Sequence, residues 1–227
     1  MKMLFHGRDF IDKVIVVAVE SGVIDQIEFI IQQPFDEGAI IWQYNPLGRH
    51  PALVLDDGVV LPHGILCCEY LDSLGGGPSL FPKDDRRWRA KSELHLGDGL
   101  FDATSALVVQ ALRDEEERNR ADMERHRMRI LHVLPAMNME IAHLDPNDFH
   151  IGHIGFACGL TFYDMRQPFG RVRLEDGDAE YDWRVAFPDL AAWYDTVIQR
   201  PSLQVRPSTL GIAQQPAPEW AKGFQQK

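Results

Sequence analysis

The chain has 227 residues, 45% hydrophobic and 25% charged, an ordinary globular balance that argues against disorder over most of its length. Lys and Arg total 23 against 34 Asp and Glu, a net charge of −11, which disfavours a nucleic-acid backbone or an anionic membrane surface as partner. The longest apolar run, Val14–Val19, is six residues, far short of the roughly 18 that span a bilayer.

The N-terminus MKMLFHGRDF lacks the apolar stretch and small-residue cleavage site of a signal peptide. Cys67, Cys68 and Cys158 are sparse and odd in number, which fits reduced thiols and a cytoplasmic setting. Met3–His6 is a short apolar opening. Ile11–Ser21 is β-branched like a strand, yet its length and the stop at Gly22 equally allow a buried helix. Alternation over Ile27–Ile31 predicts a half-buried strand. Asp56-Asp57-Gly58 between Pro51–Leu55 and Val59–Leu61 predicts a hairpin. Ile65–Leu74 then reads as a helix, ended by Gly75-Gly76-Gly77-Pro78, the clearest boundary in the chain.

Beyond that boundary the pattern is helical. Leu94, Phe101, Thr104, Val108 and Ala111 recur at helical spacing, as do Ile130, Leu134, Met137, Ile141 and Leu144. The charged run 113–127 between them predicts a solvated helix end and turn. Ile151–Tyr163 is an apolar helix, Gln167–Asp182 a Gly- and charge-rich loop, and Pro188 opens a helix that Pro201 closes. Pro207–Lys227 is rich in Pro, Gln and Ala and is expected to wrap the surface or fray. The organisation is α/β followed by all-α: residues 1–75, a linker at 76–84, and a helical domain at 85–227.

NPLGRHPALVLDDGVVLPHGILCCEYLDSL (45–74) resembles the N-terminal domain of the glutathione S-transferase family, through Asn45-Pro46, Pro51, Asp57-Gly58 and Tyr70-Leu71-Asp72. Residues 87–103, 152–166 and 182–202 resemble helices of that family's second domain. The resemblance implies a thioredoxin-like first domain, an all-helical second domain and a homodimer, and it decides Ile11–Ser21 as helix. It also implies that Pro51 is cis, so that the backbone of His50 pairs with the cysteinyl part of glutathione like an added strand. Glutathione is then a co-substrate, an anionic thiol peptide that meets a hydrophobic second substrate. That second substrate is expected near Leu94, Asp98, Phe101 and the Gln167–Asp182 loop.

The site residues depart from the family pattern. Many bacterial members carry Ser-Pro-x-Ser-Pro between the first strand and helix, whereas this chain reads HGRDFIDKV (6–14), about two residues shorter and without a hydroxyl or thiol. Arg8 or Asp9 falls at the catalytic position. Arg8 stabilises a thiolate by charge, Asp9 does the opposite, and His6 is a third candidate donor; a plain solvated turn pair is the alternative for Arg8 and Asp9. The Asp/Glu-Ser pair that holds the γ-glutamyl end is replaced by His63-Gly64. The helix-start N–H groups survive for the carboxylate, but the ammonium loses a charged hydrogen bond worth roughly 1.5–3 kcal/mol, tenfold or more in affinity. Arg49 stands where a Lys often meets the glycine carboxylate, with a solvated surface Arg as the alternative.

In the second domain the family's Ser/Thr-x-x-Asp cap is replaced by His150-x-x-His153, near His143 and Asp148. Such a step permits metal ligation, but capping or solvent-facing histidines are favoured, and no metal is expected. Two alternatives stand beside a transferase with a rebuilt thiol site. One is a non-catalytic binding or scaffold protein that has lost glutathione. The other is an enzyme taking a different anionic or thiol ligand in a cleft lined by His6, Arg8, Arg49, His50 and His63.

Overall fold

The computed structural model describes residues 1–6, 9–31 and 39–212. They form two compact units, one of Met1–Pro82 with the described part of Pro201–Pro216, the other of Lys83–Arg200.

The first unit is a four-stranded mixed sheet with helices. Its elements run β1 (Lys2–Phe5), α1 (Lys13–Glu20), β2 (Glu28–Ile31), α2 (Ile41–Tyr44), β3 (Ala52–Val54), β4 (Val60–Leu61) and α3 (Gly64–Leu74). Strand order is β2-β1-β3-β4, with β1 parallel to β2 and antiparallel to β3, and β3 antiparallel to β4. Met3, Leu4 and Phe5 are fully buried, as a central strand covered on both faces requires. The β-branched segment after Phe10 is a helix, α1, and its Val14–Ala18 are all buried. Asp12 caps it by accepting from the Val14 N–H at 2.9 Å. The Asp-Gly hairpin forms with Gly58 at φ 88°, and Asp57 Oδ1 accepts from Val59 N.

The second unit is helical: α4 (Arg87–Ala111), α5 (Arg120–Glu140), α6 (Ile151–Arg166), α7 (Pro168–Val172), α8 (Trp183–Ala186) and α9 (Pro188–Val197). Its core packs Leu100, Leu107, Ile130, Leu134, Phe156, Leu160, Trp183 and Leu190. The backbones of α4 and α6 touch through glycines. A Cβ on Gly97 would stand 2.1 Å from Gly155 O, and one on Gly159 would stand 2.6 Å from Gly97 O. α10 (Pro201–Gln204) returns to the first unit and packs on α1.

Two stretches differ from the sequence expectation. The charged run 113–127 is more than a helix end and turn. α5 already begins at Arg120, where Asn119 Oδ1 accepts from Asp122 N at 3.1 Å. Gln167–Asp182 is not a plain loop. It contains α7, and Phe169, Val172 and Asp178 are buried. The buried Asp178 carboxylate pairs with Arg127 at 2.9 Å and accepts from Leu174 N and Glu175 N. Ion pairing and backbone hydrogen bonds together satisfy the buried charge and pin the segment to α5.

Candidate functional site

The first unit gathers candidate residues at three connections on its sheet. His50-Pro51 is a cis peptide immediately before β3. Gly64, buried, opens α3 across from it, and a Cβ built there would meet Pro51 Cγ at 3.6 Å and Lys13 Cε at 3.4 Å. Pro51, Gly64 and the Lys13 stem therefore converge on one corner.

Asn45 holds that corner together. It is fully buried, and its amide donates to Arg49 O at 2.8 Å and to Pro62 O at 3.1 Å, while its Oδ1 accepts from Leu47 N at 3.0 Å. One side chain thus ties the turn before Pro51 to the turn before α3. Arg49 is exposed and His50 half-buried. His63 is exposed and caps α3, its Nδ1 accepting from Ile65 N at 3.3 Å. The imidazole that replaces the expected acid therefore serves as a helix cap.

At the end of β1, His6 stacks between Phe5 and Phe10, with ring centroids 4.3 and 4.9 Å away. Its Nε2 lies 3.5 Å from Asp12 Oδ2, an ion pair when the ring is protonated. Arg8 lies outside the described residues. Asp9 accepts from Ser208 N and from Ser208 Oγ, each at 2.9 Å, one bond to each carboxylate oxygen. Its carboxylate is thereby committed to the C-terminal segment. Cys67 in α3 is buried, its thiol donating to Leu61 O, and burial pushes its pKa up to about 12. It remains a thiol at neutral pH.

No protein-family model matches the chain. The crystal structure of a glutathione transferase family member from Pseudomonas fluorescens Pf-5, with bound glutathione, is 32% identical, with a TM-score of 0.76; the match covers 95% of this chain and 99% of that one. The chain belongs to the glutathione transferase family. A glutathione S-transferase from Methylobacillus flagellatus, also with glutathione bound, is 25% identical with a TM-score of 0.76, over 89% of this chain and 96% of that one. The GST-like protein YibF of Escherichia coli is 24% identical over 165 residues, 71% of this chain and 81% of YibF.

Elsewhere in this family member, the His150-x-x-His153 step is a capping box. His150 Nδ1 accepts from Gly152 N at 3.1 Å, and His153 Nδ1 accepts from His150 N at 3.3 Å. His153 Nε2 donates to Asp145 O at 3.0 Å, the tautomer its Nδ1 contact requires. Both His153 nitrogens are engaged, which leaves it no lone pair for a metal. Of the residues expected near a second substrate, Leu94 is 1% exposed and packs its Cα 2.7 Å from where a Gly155 Cβ would stand. It belongs to the α4–α6 contact. A cleft of about 440 Å³ lies on the 167–182 segment, lined by Tyr163, Gln167, Phe169, Tyr181 and Trp183 among others. Its Asp164 already accepts from Trp183 Nε1 at 2.7 Å and from Arg184 at 2.6 and 2.8 Å.

Sequence reasoning missed three contributors. Lys13 is the first residue of α1, and nothing in IDKV marks it as facing Gly64. The role of Asn45 was signalled only by the Asn45-Pro46 pattern. Ser208 had no signal at all.

Proposed function

We propose that this glutathione transferase family member binds glutathione at the Pro51–Gly64 corner and transfers it to a hydrophobic electrophile. The observation that carries this reading is the corner at which Pro51 packs against the start of α3, in a chain 32% identical to a relative whose structure holds glutathione. The backbone of His50 would pair with the cysteinyl unit, as an added strand does. Gly64 N–H and its helix start would receive the γ-glutamyl carboxylate, and Arg49 the glycine carboxylate.

His6 and Arg8 would favour the thiolate, because a nearby cation stabilises the charged form of a thiol. His6 is held for this by its two ring stacks and by Asp12. The thiolate sulfur then bonds to an electrophilic carbon of the second substrate, whose leaving group departs with the bonding pair. We place the protein in the cytoplasm as a homodimer, in keeping with the family resemblance and the free cysteines.

Calorimetric titration with glutathione tests the reading. Binding at tens of micromolar or tighter is expected, and millimolar affinity or none would overturn it. Arg8→Ala and His6→Ala then assign the thiolate role, since the variant of the stabilising residue raises the pH at which bound glutathione ionises.

A further inference from the structure

We infer that Asp9 and Ser208 form a latch by which the C-terminal segment positions the connection between β1 and α1. The two residues are 199 positions apart in sequence, yet Asp9 Oδ1 accepts from Ser208 N and Asp9 Oδ2 from Ser208 Oγ, each at 2.9 Å. Both residues are exposed, where a lone carboxylate would ordinarily be left to water. Two hydrogen bonds to one charged group are stronger and more directional than neutral ones.

The Ser208 side of the latch is built before it meets Asp9. Thr209 Oγ1 accepts from Arg206 N at 3.0 Å and donates to Arg206 O at 2.7 Å, which closes the turn around Ser208. Arg206 Nη1 donates to Leu203 O and Val205 O, and Pro207 is buried. Upstream, Ser202 and Leu203 are buried where α10 packs on α1. The two donors are thus oriented in advance, which reduces the ordering cost of the contact.

Asp9 lies in the same connection as His6 and Asp12. Asp12 fixes one end of it, through the α1 cap and the 3.5 Å approach to His6. The latch holds Asp9, three residues before that cap. Asp9 and Ser208 are therefore positioning residues, with no part in the chemistry. As an anion Asp9 would work against a thiolate, and both its oxygens are engaged.

The existence of the latch is independent of the glutathione reading; only its effect on turnover rests on that reading. Amide hydrogen exchange of the peptide spanning 6–12 tests it in the full chain, for wild type, Ser208→Ala, Asp9→Ala, the double variant and Ser208→Thr. Exchange is expected to rise about tenfold in Ser208→Ala, which loses one charge-assisted hydrogen bond but keeps the backbone N–H bond to Asp9, and to rise further in Asp9→Ala, which loses both. The double variant should match Asp9→Ala, and Ser208→Thr should stay at the wild-type level. If glutathione turnover is present, Ser208→Ala lowers kcat with KM little changed and moves the thiolate limb of the pH profile upward. Unchanged exchange in Ser208→Ala overturns the latch, as does a rise spread equally through α3. Latch-dependent exchange in a protein that binds no glutathione upholds the latch and sinks the functional reading.

Discussion

Glu93 gives the sharpest test of the physical reasoning. It lies in α4 with 1% exposure, and among the described residues neither carboxylate oxygen has a hydrogen-bond partner. His150 Nε2 stands 3.9 Å from Oε2, too far for a hydrogen bond. Gly152 leaves the carboxyl its space, since a Cβ there would fall 2.4 Å from Oε2. Burial first, and the Glu140 charge second, push the Glu93 pKa from the ordinary 4.5 up to about 7, with Arg89 opposing. Arg89 is itself bonded to Glu140 at 3.3 Å.

The folded state therefore holds this proton more tightly than the unfolded chain does. Its contribution to stability is full below pH 4.5 and is lost as pH rises through about 7. At about 1.4 kcal/mol per pH unit the loss is about 3 kcal/mol. Glu93→Gln keeps the shape and cannot ionise. Above pH 8 the variant should be more stable than wild type by about 3 kcal/mol, roughly 6–12 °C in Tm for a chain of this size. The gap should close as pH falls toward 4.5. Thermal melting of both proteins between pH 4.5 and 9 measures it. A gap that does not change with pH, or a less stable variant at pH 9, would refute the assignment of Glu93 as a buried acid.

Gly97→Ala should lower the denaturant midpoint severely, by about 3 kcal/mol or more, because its Cβ meets the backbone oxygen of Gly155, which has no rotamer through which to yield. Arg127→Ala should cost about 3–5 kcal/mol in the same assay, since it strands the Asp178 charge inside the helical unit. In a thiol-labelling time course read by mass, Cys158, which is partly exposed, should react first at pH 8. Cys67, buried and with its pKa near 12, should react only after denaturation.

What the sequence made legible is what local chemistry determines. Asp57-Gly58 forms its hairpin because Gly58 takes φ 88° freely and Asp57 binds the backbone two residues on. The apolar spacing of Ile130, Leu134 and Met137 forms one helix, even though Pro135 sits inside α5, because that face is buried in the core. The segment 167–182 was obscured by its glycines and charges. Its order comes from Asp178 meeting Arg127, 51 positions away. The early start of α5 did carry a signal, in Asn119 three residues before Asp122, but the surrounding charges masked it. Within the candidate site, Pro51, His63 and Gly64 were readable from their motif. The use of Asp9 was not, because its partner is 199 residues downstream.

Histidine capping adds the counterweight to Glu93. His150 and His153 accept backbone N–H groups through Nδ1, and an imidazolium has no acceptor nitrogen, so protonation breaks both caps. Burial pushes both pKa values down, that of His153 to about 4; Asp148 and Arg86 act on His150 in opposite senses. A lowered histidine pKa means the folded state resists the proton. The His153 contribution is full above pH 6.5 and is lost as pH falls toward 4, about 3 kcal/mol in all. Glu93 runs the other way, losing its contribution as pH rises from 4.5. Between about pH 4.5 and 6.5 one proton on Glu93 offsets one on His153, and His150 leaves a residual acid slope. Wild type should therefore show a shallow stability profile across that window, and Glu93→Gln a steeper one falling toward acid. Equal slopes in the two proteins would mean that Glu93 takes up no proton there, and the offset would be wrong.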